Sequence, residues 1–339
     1  MSSRQPAVTI FLSLLLWLQH SDACPPQCHC TNSTSNRAII CTSENITTFP
    51  SALPTDSLMI TVEFTSITSI DSTAFVGLLQ LEGLHLSNNK LASLPENLFQ
   101  DLTQLHTLDL TNNLLEALPP QIFSTIPALR FLVLSKNHLA ALDPEWFQEL
   151  KQLEWLDLSL NRLQKIPPNS FSSLTNLTTL DLSHNQLEQL PVELLCNLSM
   201  LEKLILEGNQ ICSFADNFFK SLSNLKFLFL QNNSLEKLPT ELFLPLPLLD
   251  TLDLSHNKLR SIPPGLFEKN LNLGHQSTKG LDLSWNRWHC DCHLVYLHEW
   301  VATKTAILYS LEEMVCSTPD ELKGQPISAL TQKQLQHFC

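Results

Sequence analysis

Glycine is scarce in this chain, with seven residues in 339. None stands in the G-x-x-x-x-G-K-[ST] spacing of a phosphate-cradling loop. No G-x-S-x-G elbow offers a hydrolase nucleophile. His298-Glu299 lacks the second histidine that a zinc-protease helix needs. Basic residues are also short, 20 against 33 acidic, for a net charge of −13. Phosphate binding needs a basic surface, so no nucleic acid is expected as a partner. Long apolar runs are missing too. The run from Ile10 to Leu18 is shorter than the ~20 residues of a membrane helix. The end, Gln336-His337-Phe338-Cys339, shows no membrane tail. The composition therefore predicts no nucleotide-loop enzyme, no catalytic residue, no cofactor and no membrane span.

What the chain does contain is a ruler. Leu81-x-x-Leu84-x-Leu86-x-x-Asn89 recurs eight times, ending at Leu249-x-x-Leu252-x-Leu254-x-x-Asn257. The asparagines stand at Asn89, Asn113, Asn137, Asn161, Asn185, Asn209, Asn233 and Asn257, always 24 apart. A second column keeps the same step: Phe99, Phe123, Phe147, Phe171, Phe219, Phe243 and Phe267, with Leu195 standing in once. A fixed period of this size marks an α/β leucine-rich repeat solenoid, a horseshoe. The alternation around the last two leucines has period two, so Leu108 and Leu110 point inward while Thr107 and Asp109 do not. The asparagine then turns the chain. Its amide is expected to bond unpaired backbone groups and to form a ladder with its stacked copies. The phenylalanines should stack along a convex side that is mostly irregular or short-helical. No repeat buries its apolar face alone, so stability comes from neighbour interfaces.

The array's edges are irregular. Val62-x-Phe64-x-x-Ile67 keeps the apolar spacing but loses the Asn. Leu281-x-Leu283-x-x-Asn286 lies 29 residues after Asn257, so an insertion of five falls near residues 270–280. Arg4, the apolar run and Ser21-Asp22-Ala23 read as a secretory signal peptide over residues 1–23. Its removal takes one Arg and one Asp and leaves the net charge at −13. The mature chain then meets an oxidising compartment. Cysteines flank the repeats: Cys24, Cys28, Cys30 and Cys41 before, Cys290, Cys292, Cys316 and Cys339 after. The expected organisation is an N-terminal cysteine-rich cap over 24–57, repeats over 58–287 (about nine plus a degenerate first one) and a C-terminal cap over 288–339. Cys196 and Cys212, inside the array, read equally as a pair or as free thiols. Five glycosylation sequons begin at Asn32, Asn45, Asn176, Asn197 and Asn232; the last abuts Asn233 and is the one expected to be skipped.

His289-Cys290-Asp291-Cys292-His293 could be read as a zinc site. Cys-x-Cys is too tight for the usual C-x2–4-C spacing, and no metal is expected there. Asp109, Asp157, Asp181, Asp253 and Asp282 occupy the position between the last two leucines. Paired carboxylates can do acid–base work, but Asp-Leu belongs to the repeat consensus and the carboxylates are expected to face solvent. Such a strip suits cations. His85, Val133, Ile205 and Phe229 break that column. Phe131, Trp155, Phe227 and Phe229 put large apolar groups on or beside the concave face, either as interface anchors or tucked across strands. His85, Asp109, Phe131, Trp155, Asp157, Asp181, Phe227, Phe229 and Asp253 are therefore the candidate partner-binding residues. Nine strands make an arc of about 40 Å, enough for a small globular protein. The charge would steer a basic partner.

The mature chain resembles the family of leucine-rich alpha-2-glycoprotein and the snake serum beta-type phospholipase A2 inhibitors. The likeness rests on Val62-Glu63-Phe64, Leu84-His85-Leu86-Ser87, Leu108-Asp109-Leu110-Thr111, the insertion before Leu281-Asp282-Leu283-Ser284, and Lys323-Gly324-Gln325. The full Cys-x-Cys caps favour the inhibitor branch. The resemblance implies the pairings Cys24–Cys30, Cys28–Cys41, Cys290–Cys316 and Cys292–Cys339. It implies a secreted plasma glycoprotein that inhibits a basic secreted phospholipase A2, and a homotrimer. The other branch implies a modulator of growth-factor or receptor signalling.

Overall fold

The computed structural model describes residues 24–31 and 37–339. The expected signal peptide and Asn32 lie outside these residues. One twelve-stranded sheet runs the length of the molecule in sequence order. It opens with His29–Cys30 (β1) antiparallel to Ala38–Cys41 (β2), and every later pairing is parallel. Met59–Val62 (β3) belongs to the degenerate repeat. The regular strands are Gly83–His85 (β4), Thr107–Asp109 (β5), Phe131–Val133 (β6), Trp155–Asp157 (β7) and Thr179–Asp181 (β8). They continue as Lys203–Ile205 (β9), Phe227–Phe229 (β10), Thr251–Asp253 (β11) and Leu281–Asp282 (β12). Register between consecutive strands is a constant 24 residues from Gly83 through Thr251. It jumps to 29 only at Leu252↔Leu281, where the insertion falls.

The leucines of the repeat are fully buried. The asparagine column is buried as well, and its bonding differs in one respect from the expected ladder. The amides do not bond one another; each staples two neighbouring turns through backbone. Asn161 Nδ2 donates to Leu134 O at 3.0 Å and Leu158 O at 3.1 Å, while Oδ1 accepts from Leu139 N at 3.0 Å. The amide-to-amide contact that does occur, Asn112 Nδ2 to Asn88 Oδ1, lies one position earlier and is exposed.

The convex side is built from turns, with one 3₁₀ turn at Pro144–Phe147. Phenylalanine rings stack inside it: Phe99 on Phe123 at 6.1 Å and Phe243 on Phe267 at 6.2 Å between centroids. The column extends beyond the expected members. Phe49 and Phe75 continue it at one end, and Trp300 packs on Phe267 at the other. α-Helices among the described residues occur only after the repeats, at Val295–Thr303 and Gln332–His337.

Disulfides join Cys24 to Cys30, Cys28 to Cys41, Cys290 to Cys316 and Cys292 to Cys339. At the amino end Ile39 and Cys41 close the core, and at the carboxyl end Trp288, Cys290 and Cys316 do so. Each cap thus covers an open end that would leave leucines in water. Cys196 and Cys212 are free, the first half-buried and the second exposed. The insertion folds over the buried Asp250, whose carboxylate takes backbone N–H groups of Gln276 and Ser277 and the Ser277 hydroxyl. Burial opposes ionisation of Asp250, but these hydrogen bonds outweigh it and lower its pKa. No described helix is long and apolar enough to cross a membrane.

Candidate functional site

Two side chains per strand project from the concave face, because the residue between them is the buried leucine. All nine candidate residues lie on this face. They form two columns: Gly83, Thr107, Phe131, Trp155, Thr179, Lys203, Phe227 and Thr251, and beside it His85, Asp109, Val133, Asp157, Asp181, Ile205, Phe229 and Asp253.

The register pairs Phe131 with Trp155, and Asp157 with Asp181. Phe131 and Trp155 are each 38 % exposed, the most exposed large apolar pair on a floor that also carries Val133, Ile205, Phe227 and Phe229. Phe227 and Phe229 are half-buried. The Phe229 ring lies 5.6 Å from the Lys203 ammonium, a cation–π contact. Lys203 is not among the residues the sequence singles out; its signal is that it replaces the small polar residue of its column. Arg130 sits 5.9 Å from the centre of the Phe131 ring and also pairs with Glu154 at 2.7 Å. Lys226 pairs with Glu202 at 2.9 Å. Basic charge along this rim is therefore neutralised locally.

The acidic strip is neither continuous nor fully solvent-facing. Val133 separates Asp109 from Asp157, and Ile205 with Phe229 separate Asp181 from Asp253. Each carboxylate is half-buried and binds its own turn. Asp157 accepts from Ser159 N at 2.9 Å, Asp181 from Ser183 N at 2.8 Å and Asp253 from Ser255 N at 2.9 Å. The Asp-Leu-Ser run of the consensus thus serves the fold, since one carboxylate oxygen closes the turn.

Burial pushes the Asp181 carboxyl above its ordinary value; Ser183 hydrogen bonding opposes this, and Asp157 repulsion adds to the rise. Burial raises Asp253 likewise, with Asp282 and Glu207 adding repulsion. A carboxyl raised on folding stays protonated in the native state after the unfolded chain has ionised. Stability therefore falls as pH rises from the unfolded pKa of 3.8 through the folded one, and the penalty is complete above it. Asp181→Asn keeps an acceptor for Ser183 and removes that penalty. It should raise the melting temperature at pH 7 by a few degrees at most and leave it unchanged at pH 3. Thermal unfolding at both values is the check; equal shifts would mean that ionisation is not the cause.

The four described sequons lie off the concave strands, all with exposed asparagines: Asn45, Asn176 and Asn197 in turns, Asn232 on the rim after β10. At the C-terminal cap both thiols of the His289 to His293 cluster are in disulfides.

Known proteins share these features in parts. A chain of the Drosophila Toll–Spatzle complex superposes with a TM-score of 0.72 over 88 % of this chain and 41 % of that one, at 24 % identity. A chain from an octameric complex of Latrophilin 3, Unc5D and FLRT2 superposes with 0.75 over 93 % of this chain and all of that one, at 22 % identity. These likenesses concern the fold alone. In sequence, phospholipase A2 inhibitor beta of Elaphe climacophora is 39 % identical over 88 residues, 26 % of either chain. The phospholipase A2 inhibitor of Gloydius brevicaudus siniticus is 42 % identical over 98 residues, 28 % of this chain and 29 % of that protein. The matches thus span little more than a quarter of these snake relatives. Carboxypeptidase N subunit 2 of Homo sapiens is 46 % identical over 55 residues, 16 % of this chain and 10 % of that one. The leucine rich repeat pattern matches residues 59–115, 103–163, 153–211 and 199–259 in overlapping stretches, and the chain belongs to the leucine-rich repeat family.

Proposed function

We propose that this protein is an extracellular binding protein rather than an enzyme, and that it holds a basic secreted phospholipase A2 against its concave face. The observation that carries the reading is the Phe131–Trp155 pair beside the Asp157–Asp181 pair, on neighbouring strands of one floor. The aromatic pair can be desolvated by a partner at little entropic cost, as interface anchors are. The carboxylates steer a cationic surface toward it and fix its register. The arc of about 40 Å would cover the partner's lipid-facing side and so stop hydrolysis by occlusion, with no covalent step. The names of the two snake relatives supply the partner class. Secretion into plasma, glycosylation at the sequons and a homotrimer belong to the same proposal. Glycans at the described sequons would leave the concave floor open.

Titrating the mature protein into a basic phospholipase A2 should abolish hydrolysis of vesicle lipid in proportion to the molar ratio. An undiminished rate at tenfold molar excess would overturn the reading. Reversing the charge of the central pair, Asp157→Lys with Asp181→Lys, should slow association about tenfold or more at low salt and flatten its salt dependence. Association kinetics over a salt series read this directly; unchanged rates would move the docking face elsewhere.

A further inference from the structure

A second cluster lies near the amino-terminal end of the concave face. Glu63 directly follows β3, while His85 and Asp109 close β4 and β5 and are register partners. One donor atom from each, a carboxylate oxygen, an imidazole nitrogen and a second carboxylate oxygen, all lie within 4.8 Å of one another. All three residues are half-buried. The Ser87 hydroxyl donates to Glu63 Oε1 at 2.8 Å, and Thr111 N donates to Asp109 Oδ1 at 2.8 Å. Each carboxylate is thus held by one oxygen and keeps the other for a ligand, as outer-shell bonds do in metal sites. Among the described ion pairs, no lysine or arginine meets Glu63 or Asp109. Two carboxylates therefore converge on one imidazole without a basic side chain to balance them.

We propose that Glu63, His85 and Asp109 form a binding site for a divalent cation of the zinc class. The donor set is one nitrogen and two oxygens, the three-ligand pattern that leaves a fourth position open. Tetrahedral zinc with bonds near 2.0–2.2 Å places its ligand atoms ~3.4 Å apart. A spread of at most 4.8 Å closes to that by side-chain shifts of about 1 Å. The imidazole favours zinc over calcium or magnesium, which take oxygen ligands. Water, or a side chain of a docked protein, would fill the open position. The site lies on the same concave face, on the strands before the exposed Phe131–Trp155 pair, and its donor set does not depend on the phospholipase reading.

The test is a Zn²⁺ titration of the chelator-dialysed mature protein against a chromogenic competitor at pH 7.5. One equivalent per chain is expected, with a rise in melting temperature on metal addition. His85→Ala, Glu63→Gln and Asp109→Asn should each weaken binding tenfold or more and cancel that rise. His293→Ala, which removes an exposed histidine of the C-terminal cap, should leave the equivalent in place. Glu63→Gln keeps an acceptor for Ser87, so it decides the matter if another variant folds poorly. Absence of an equimolar Zn²⁺ equivalent would overturn the site. Equal Zn²⁺ affinity in parent and His85→Ala, or loss only in His293→Ala, would overturn it too.

Discussion

Asn161→Ala should destabilise the solenoid by about 2–4 kcal/mol, more than a typical exposed substitution. The buried Leu139 N–H depends on this amide alone, while the carbonyls of Leu134 and Leu158 each lose one of two donors and keep Asn137 and Asn185. Each group left without a partner costs about 1–3 kcal/mol; a water admitted to the gap recovers part of the loss. Alanine also leaves a void between turns that are otherwise closely packed. The matched control is Asn112→Ala. Its amide meets Asn88 Oδ1 on the exposed rim; Asn112 stands at φ +54°, so its loss should cost about 1 kcal/mol, mostly as left-handed backbone strain. Urea unfolding followed by circular dichroism gives both values. The position adds a second signature. Repeat stability is a sum of local and nearest-neighbour terms, and Asn161 sits in the fourth of the eight consensus repeats, where it joins two halves. Weakening that interface should broaden the transition and lower its slope. Equal, small effects at both sites would mean that the asparagine column shapes the turns without holding them together.

The architecture is legible in the sequence because it is periodic. A buried leucine, a turn-forming asparagine and a packed phenylalanine each report their own surroundings, and 24-residue recurrence makes eight independent readings of one register. Legibility fades where an environment depends on two residues from different turns. The carboxylates of Asp157 and Asp181 read as solvent-facing because Asp-Leu-Ser looks like mere consensus. Their bonds to Ser159 N and Ser183 N show why the consensus exists. Phe75 escapes the ring column on sequence because its repeat precedes the first consensus asparagine, although it stacks 6.3 Å from Phe99. Lys203 reads as a surface charge until the register sets it beside Phe229. The Glu63, His85 and Asp109 trio is the least visible. Glu63 stands two places further along its repeat than the other two, so no single column contains all three. What brings them together is lateral spacing between strands of about 4.8 Å, less than a side chain's reach.

Trp155→Ala should weaken binding of a basic phospholipase A2 by at least 2 kcal/mol, about thirtyfold, while leaving the melting temperature nearly unchanged. The side chain is 38 % exposed, so truncation empties no sealed cavity. In a complex the same indole would be desolvated and would carry much of the contact. Phe131→Ala should follow it, and the double variant should lose less than the sum, because register neighbours share one partner surface. Two other tryptophans separate this from general damage. Trp288 is fully buried in the C-terminal cap, and Trp288→Ala should cost about 3–5 kcal/mol of stability, like other buried aromatics. Trp285 is 54 % exposed and stacks on His256 at 5.6 Å, on the rim rather than the floor; its loss should change neither quantity appreciably. Titration calorimetry with each variant places the contact. A large loss at Trp285 with none at Trp155 would put the partner on the rim, and the central aromatic pair would then be part of the sheet's own cross-strand packing.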